Sequence, residues 1–322
     1  MKYRALGRTG IEVSELGFGT WGIGGNSNDA VGYGPTSDEE SRAALQRAFE
    51  LGVNFYDTAD LYGFGHSEEL LGEIFASSRQ DVIIASKVGF VNFDEDQDFS
   101  PRHIREAIEG SLKRLETDYI DLYQLHSPSV DMLENDPAIM SALESLKQDG
   151  KTRFIGLSVR SPGDGIIAVE KFNFDTIQVN CNLVDQRALE IGLLDSCEAK
   201  GIGVIIRTPL SYGFLTGAYT ADTLFDPQDQ RSKWSPQQIE KWADSYKIFI
   251  DDISSSGKST SAQFALRFCL SCPVVSTVIP GMLTVDHVEE NIASSQLGSL
   301  SEVDFQSVIA TYRSNEFFVT EN

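Results

Sequence analysis

The sequence predicts an α/β fold, a (β/α)8 (TIM) barrel, on three observations. Eight short apolar runs rich in β-branched residues alternate with amphipathic stretches of about ten to fifteen residues, the pattern of parallel strands covered by helices. Several runs, such as Val82-Ile83-Ile84-Ala85 and Gly203-Val204-Ile205-Ile206, are apolar without alternation, as strands buried on both faces are. Eight such units fit within 322 residues, the usual span of this barrel. A doubly wound sheet is the alternative. No proline-rich or low-complexity linker divides the chain, so residues 1–322 are read as a single domain.

In chain order, residues 3–5 and 11–14, joined through Gly7-Arg8-Thr9-Gly10, predict a small β-hairpin ahead of the barrel. The barrel strands are predicted at 16–19, 53–56, 82–86, 120–125, 154–157, 176–179, 203–206 and 276–279. A helix is predicted at 38–51, with Ser37 or Asp38 as N-cap and Ala43, Ala44, Ala48 and Leu51 on one face. Helices at 67–75, 101–115, 137–149, 163–171, 187–200, 259–270 and 285–294 follow. Pro101 and Pro137 suit first helical turns, preceded by the caps Ser100 and Asp136. Residues 236–254 predict an extra helix after the seventh strand, and 302–312 a terminal one.

The charge is −22, from 26 basic and 48 acidic residues, with no basic cluster, so nucleic acid and anionic membranes are not expected partners. The acidity suits solubility or a saline habitat. The first residues lack the apolar core of a signal peptide, and no apolar run reaches membrane-spanning length. Four cysteines build no disulfide framework, and a reducing cytoplasm is the expected location.

Three motifs fail on context. Gly17-Phe18-Gly19-Thr20-Trp21-Gly22 matches the dinucleotide pattern GxGxxG, but a glycine- and asparagine-rich loop follows where a helix should open. The segment 256–260 resembles a phosphate loop, yet Asp252 occupies the position of its first glycine. Cys269 and Cys272 form a lone CxxC, read as two half-buried thiols near a helix end. His66, His103, His126 and His287 lie far apart, so no metal site is expected.

What remains is read at the strand ends, where barrels of this kind carry their chemistry. The second strand ends at Asp57, with Tyr62 in the loop beyond. Lys87 follows the third and His126 the fourth. Ser158 follows the fifth, Gln178 and Asn180 the sixth, Arg207 the seventh, and Pro280-Gly281 the eighth. Each has a packing explanation alone, such as Lys87 snorkelling from a rim, but ionisable groups after consecutive buried strands converge on one mouth. A phenol titrates near pH 10, and Lys87 is expected to lower that value for Tyr62. Asp57 would hold Lys87, and His126 would orient a carbonyl by a hydrogen bond. Such a phenol can hand a proton to a carbonyl oxygen as hydride reaches the carbon. Polar residues after strands five and six suit a nicotinamide carboxamide, and glycine-bearing loops after seven and eight suit phosphates.

The pieces Leu16–Trp21, Phe55-Tyr56-Asp57-Thr58-Ala59 with Tyr62-Gly63, Ala85-Ser86-Lys87, Asp121–His126, Ile155–Ser158, Gln178-Val179-Asn180, Pro209-Leu210 with Gly213–Gly217, Ile279-Pro280-Gly281 and Glu290-Asn291 span nearly the whole chain. With them it resembles the aldo-keto reductase superfamily. The resemblance implies NADP(H)-dependent carbonyl reduction of a small-molecule carbonyl, or oxidation of an alcohol in reverse. It implies a tetrad of Asp57, Tyr62, Lys87 and His126, with Tyr62 as general acid. It further implies cofactor contacts from Gly19, Thr20, Trp21, Asp57, Ser158, Gln178, Arg207, Thr208, Pro209, Leu210, Gly213, Ile279, Pro280, Gly281, Leu283, His287, Glu290 and Asn291. Trp21, Tyr62, Phe64, Phe90, His126 and Trp234 are expected to line the substrate pocket.

Three positions depart from the family pattern. Val159 stands for an asparagine, and Arg207 for the aromatic that stacks on nicotinamide. Leu283 stands for a basic residue that binds the 2′-phosphate, which leaves NAD(H) an alternative cofactor. Arg207 is expected to favour the reduced cofactor, since its charge opposes the oxidised ring. Two other functions are weighed: a cofactor-binding regulatory subunit resembling potassium-channel β subunits, and a Schiff-base aldolase with Lys87 as nucleophile. Pairing with Asp57 argues against the aldolase, and the intact tetrad argues against the regulatory subunit.

Overall fold

The computed structural model describes residues 1–25, 31–94, 96–250 and 259–319. Strands β1 (Tyr3–Ala5) and β2 (Glu12–Ser14) pair antiparallel as the hairpin, with Tyr3 opposite Ser14. Eight parallel strands follow: β3 (Phe18–Gly19), β4 (Phe55–Asp57), β5 (Ile83–Val88), β6 (Ile120–His126), β7 (Thr152–Ser158), β8 (Thr176–Asn180), β9 (Gly203–Arg207) and β10 (Val275–Ile279). Each pairs with the next in sequence, and the bridges Leu16–Val278 and Gly19–Gly281 bring the last back to the first. The molecule is a (β/α)8 barrel. The seam needs bare backbone: a Cβ on Gly19 would lie 2.9 Å from the Ile279 carbonyl oxygen and 3.1 Å from that of Pro280.

The barrel interior changes character along the strands. Alternate residues share a face. Inward positions run from Phe55 to Asp57, from Ile83 through Ala85 to Lys87, from Leu122 through Gln124 to His126, and from Ile205 to Arg207. The lower positions, Phe55, Ile83, Ala85, Leu122, Ile205 and Ile279, form one apolar cluster with Leu6, Ile11 and Val13 of the hairpin. The hairpin therefore plugs the floor at the strands' N-terminal ends. Arg4 fastens it there, donating to the carbonyls of Leu270 (2.8 Å) and Val275 (3.0 Å) and pairing with Glu15. The upper positions are polar and face the open end. Outward residues such as Tyr56, Ile84 and Tyr123 pack in the larger cluster under the helices.

The helices are α1 (Asp38–Glu50), α2 (His66–Phe75), α3 (Pro101–Arg114), α4 (Val130–Asn135), α5 (Pro137–Gln148), α6 (Pro162–Lys171), α7 (Arg187–Glu190), α8 (Leu193–Lys200), α9 (Pro236–Ala243), α10 (Ser245–Ile250), α11 (Ser261–Leu270), α12 (Val285–Leu297) and α13 (Glu302–Arg313). The caps are those expected: Ser37, Ser100 and Asp136 accept the amides of Glu40, His103 and Ala138. Such a cap contributes about 1 kcal/mol.

Several expectations need correction. Lys87 lies within β5, one residue before its end, rather than beyond it. On α1 the buried face holds Leu45 instead of Ala43, which is exposed. The helix expected at 187–200 is two, broken at Gly192 in the left-handed region (φ 76°). The helix expected at 236–254 breaks at Asp244, and 251–254 lie outside the described residues. So do 256–258 of the phosphate-loop look-alike; Thr260 opens α11 with a reciprocal capping box to Gln263. Helix α4 was not expected; its signal is the Ser129 cap, which accepts the Met132 amide. Cys269 and Cys272 are fully buried free thiols, not half-buried ones. Among the described residues no helix is long and apolar enough to cross a membrane.

Candidate active site

A cavity of about 770 Å³ opens above the polar ends of the strands. Its base is organised by Asp57, which is 2% exposed. Oδ1 of Asp57 accepts from Nζ of Lys87 at 2.5 Å. Oδ2 accepts from the side-chain amides of Gln178 (2.7 Å) and Gln124 (3.2 Å). Lys87 uses all three of its donors: besides Asp57 it reaches the Thr58 carbonyl at 2.7 Å and Oη of Tyr62 at 2.9 Å. The ammonium thus sits between one carboxylate and one phenol, with no face left for water.

Tyr62 is carried by the 3-10 turn Tyr62–Gly65, which follows Leu61. Gly63 has φ 62°, and a Cβ there would lie 2.2 Å from the Gly24 carbonyl oxygen, so the turn packs backbone to backbone on the loop after β3. That contact fixes the ring, which meets Trp21 edge-on at 4.9 Å and His126 at 5.9 Å. His126, at the end of β6, lies between Tyr62 and Phe90, and its Nδ1 is buried without a partner.

The electrostatics follow from burial and from two cations. Burial pushes the Lys87 ammonium down, but Asp57 and Tyr62 outweigh it and hold the pKa above the ordinary lysine value. Burial raises Tyr62; Lys87 pulls against this, and the net direction is upward. The expected lowering is therefore corrected: Lys87 restrains the phenol's pKa without bringing it below the ordinary value. Burial, then the charges of Lys87 and Arg207, push His126 well below its usual value, so the imidazole is neutral near pH 7.

Gln178 lines the cavity, but its amide is engaged with Asp57. Ser158 does not line it; its hydroxyl backs Gln178, donating to Oε1 at 3.4 Å. Gln124 was missed by the sequence reading, although its place between Leu122 and His126 in a two-residue period marks it as inward-facing. Arg207 lines the cavity, and its Nη2 donates to the Val159 carbonyl at 3.1 Å. Two of the three departures from the family pattern are therefore in contact.

Beyond β9 the chain turns back over the cavity through Thr208, Ser211, Tyr212 and Gly213, all with positive φ. Asn182 holds this loop by donating to the Thr208 carbonyl at 2.9 Å, and Thr208 donates to Asn180 at 2.6 Å. Thr208, Pro209, Leu210 and Gly213 line the cavity. So do Gly19 at the end of β3 with Thr20 and Trp21 beyond it, and Ile279 at the end of β10 with Gly281, Leu283, His287, Glu290 and Asn291 beyond it. Pro280 does not, because its carbonyl accepts the Gly19 amide in the barrel seam at 3.0 Å.

Four of the six residues expected at the pocket line the cavity, and two do not. Trp21, Tyr62, Phe90 and His126 line the wall. Phe64 is 49% exposed and lies outside it, against Phe93, which takes its place in the lining. Trp234 packs beneath, on Tyr212 (4.3 Å) and Trp242 (5.0 Å), and only Tyr212 of these faces the cavity. Tyr33, Asn92, Tyr219, Gln230 and Arg231 were also missed. Asn92 comes from the loop after β5, and the other four from two long loops that meet where the Gln230 amide donates to the Gly32 carbonyl at 2.9 Å. No fixed sequence spacing marks such residues.

The profile of the Aldo/keto reductase family matches residues 15–313. L-galactose dehydrogenase of Arabidopsis thaliana is 33% identical over 310 residues, covering 93% of this chain and 90% of that protein. The aldo-keto reductase yakc of Schizosaccharomyces pombe, named for NADP(+), is 33% identical over 293 residues, covering 88% and 84%. Among solved structures, an aldo-keto reductase from Bacillus halodurans in its holo form superposes with a TM-score of 0.79 at 29% identity, covering 100% of this chain and 98% of that one.

Proposed function

Because the chain belongs to the aldo/keto reductase family, a family of oxidoreductases, we propose that it reduces an aldehyde or ketone to an alcohol, reversibly, with Tyr62 as proton donor. The observation that carries this reading is the Lys87 ammonium held between Asp57 and Oη of Tyr62 at the base of the cavity.

A nicotinamide dinucleotide fits the residues present. The cavity joins the tetrad to the loop before α12, where Thr284 caps the helix and a Cβ on Gly281 would meet the Tyr33 ring at 4.0 Å. Gly213 and Leu210 approach from the loop after β9, and His287, Glu290 and Asn291 from α12. Bound there, the cofactor supplies hydride to the substrate's carbonyl carbon. NADP(H) is the first choice, supported by the name of the Schizosaccharomyces pombe relative. NAD(H) is the alternative, because Leu283 offers no charge to a 2′-phosphate.

The chain's own residues account for the proton. Tyr62 is protonated near pH 7 and donates to the carbonyl oxygen as negative charge develops there. Lys87 stabilises the phenolate left behind, and Asp57, fixed by Gln124 and Gln178, keeps Lys87 in place. Neutral His126 has one N–H to orient the carbonyl oxygen. Trp21, Phe90 and Phe93 exclude water from one wall. Lys87 is charged and fully engaged, which argues against its use as a Schiff-base nucleophile.

The test is turnover of a panel of aldehydes with NADPH and NADH. Tyr62→Phe is expected to lower turnover by about 10²–10⁴-fold while NADPH still binds by fluorescence titration. Wild-type cofactor binding without turnover of any aldehyde would instead favour the regulatory-subunit reading.

A further inference from the structure

The cavity wall holds a partly buried cation that no acid balances. Lys87 is matched by Asp57 and Arg231 by Asp229, and Lys233, which also lines the cavity, is exposed. Arg207 has no carboxylate within ion-pair distance among the described residues. One guanidinium nitrogen donates to the Val159 carbonyl, while Nε is buried without a partner. This occurs in a chain with 48 acidic and 26 basic residues, where an acid would be easy to supply. Leaving a partly buried cation and an N–H unsatisfied is unfavourable unless a ligand completes them.

The position says which ligand. Ile205, two residues earlier on the same strand face, belongs to the apolar barrel interior, so Arg207 stands one inward step higher, at the mouth. It lines the same cavity as Tyr62 and His126, the two groups proposed to receive the carbonyl oxygen. An anion at Arg207 therefore lies beside the reacting carbonyl. The bond to Val159 fixes the guanidinium edge and orients what remains.

We infer that Arg207 anchors a carboxylate of the substrate, and that the substrates are carbonyl compounds carrying a carboxylate group near the reacting carbon. The inference rests on the reductase reading and adds the substrate class to it. Arg207 is then a specificity-determining residue, acting through a charge-assisted hydrogen bond.

The test compares succinic semialdehyde with butanal, and 4-carboxybenzaldehyde with benzaldehyde, using enzyme saturated with NADPH as verified by fluorescence. The wild type is expected to prefer the carboxylate member of at least one pair in kcat/KM, on the order of 10- to 100-fold. Arg207→Met is expected to abolish that preference, and Arg207→Lys to keep part of it. In the absence of cofactor, succinate or terephthalate is expected to raise the melting temperature of the wild type but not of Arg207→Met. Equal kcat/KM within both pairs in the wild type, or a preference that survives in Arg207→Met, overturns the inference and leaves the reductase reading intact. Turnover of none of the four aldehydes overturns both. Stabilisation by the dicarboxylates that persists in Arg207→Met also overturns it.

Discussion

Replacing Lys87 by methionine removes one of the most enclosed charges in the molecule. Its side chain has no exposed surface, and that of Asp57 only 3%. Methionine fills much of the same volume but cannot donate to Asp57 Oδ1, the Thr58 carbonyl or Tyr62 Oη. Asp57 would be left with two neutral amides, from Gln178 and Gln124, to hold a full negative charge. Breaking a buried pair in this way costs roughly 3–5 kcal/mol, and at a few degrees per kcal/mol the melting temperature should fall on the order of 10 °C. The double variant Asp57→Asn/Lys87→Met removes both charges and should recover most of that loss, although neither variant should turn over substrate at more than about one hundredth of the wild-type rate. Thermal melts and urea titrations of wild type, single and double variants make the comparison. A single variant within about 1 kcal/mol of wild type, or a double variant no more stable than the single, would refute the reasoning from uncompensated charge.

Three further outcomes are expected. His126 is held well below 6.5, so below that pH the unfolded chain takes up a proton that the folded chain refuses. Stability should fall as pH drops below 6.5 and level off under the folded value; His126→Asn should lose this part of the slope, about 1.4 kcal/mol per pH unit at most, and identical denaturation profiles at pH 5.5 and 7.5 for both proteins would contradict it. Gly19→Ala would drive a methyl against the Ile279 and Pro280 carbonyls at 2.9 and 3.1 Å; urea unfolding should show a loss of about 2–3 kcal/mol, and a neutral result would mean that the seam yields. Arg207→Tyr should raise affinity for the oxidised cofactor relative to the reduced one, as the charge opposing the oxidised ring is gone; paired titrations giving an unchanged ratio would dismiss that role.

The barrel was legible because burial on both faces is written directly into runs such as Val82–Ala85, and the meeting of Asp57, Tyr62, Lys87 and His126 because strand ends can be counted. Boundaries slipped where tertiary contacts override local pattern: Gly192 breaks a helix that its flanking sequence would continue, and Lys87 remains inside β5 because its ammonium is satisfied there. The direction of the Tyr62 shift was misread for a related reason. Proximity to a lysine can be guessed from spacing, but the burial that outweighs it depends on Trp21 and the surrounding loops. Trp234 was placed in the pocket on composition alone; the structure commits it to Tyr212 and Trp242. Arg231 and Tyr33 could not be found at all, since they reach the cavity only through two loops that meet in space.

Asp57 takes its partners from three other strands: Lys87 from β5, Gln124 from β6 and Gln178 from β8. One carboxylate therefore works as a keystone across the barrel. These four positions form a unit for engineering: altering one leaves its partners mismatched, so single exchanges should interact non-additively. Transplanting only the four tetrad residues into another barrel would carry the reactive groups without the two glutamines that hold their arch in place.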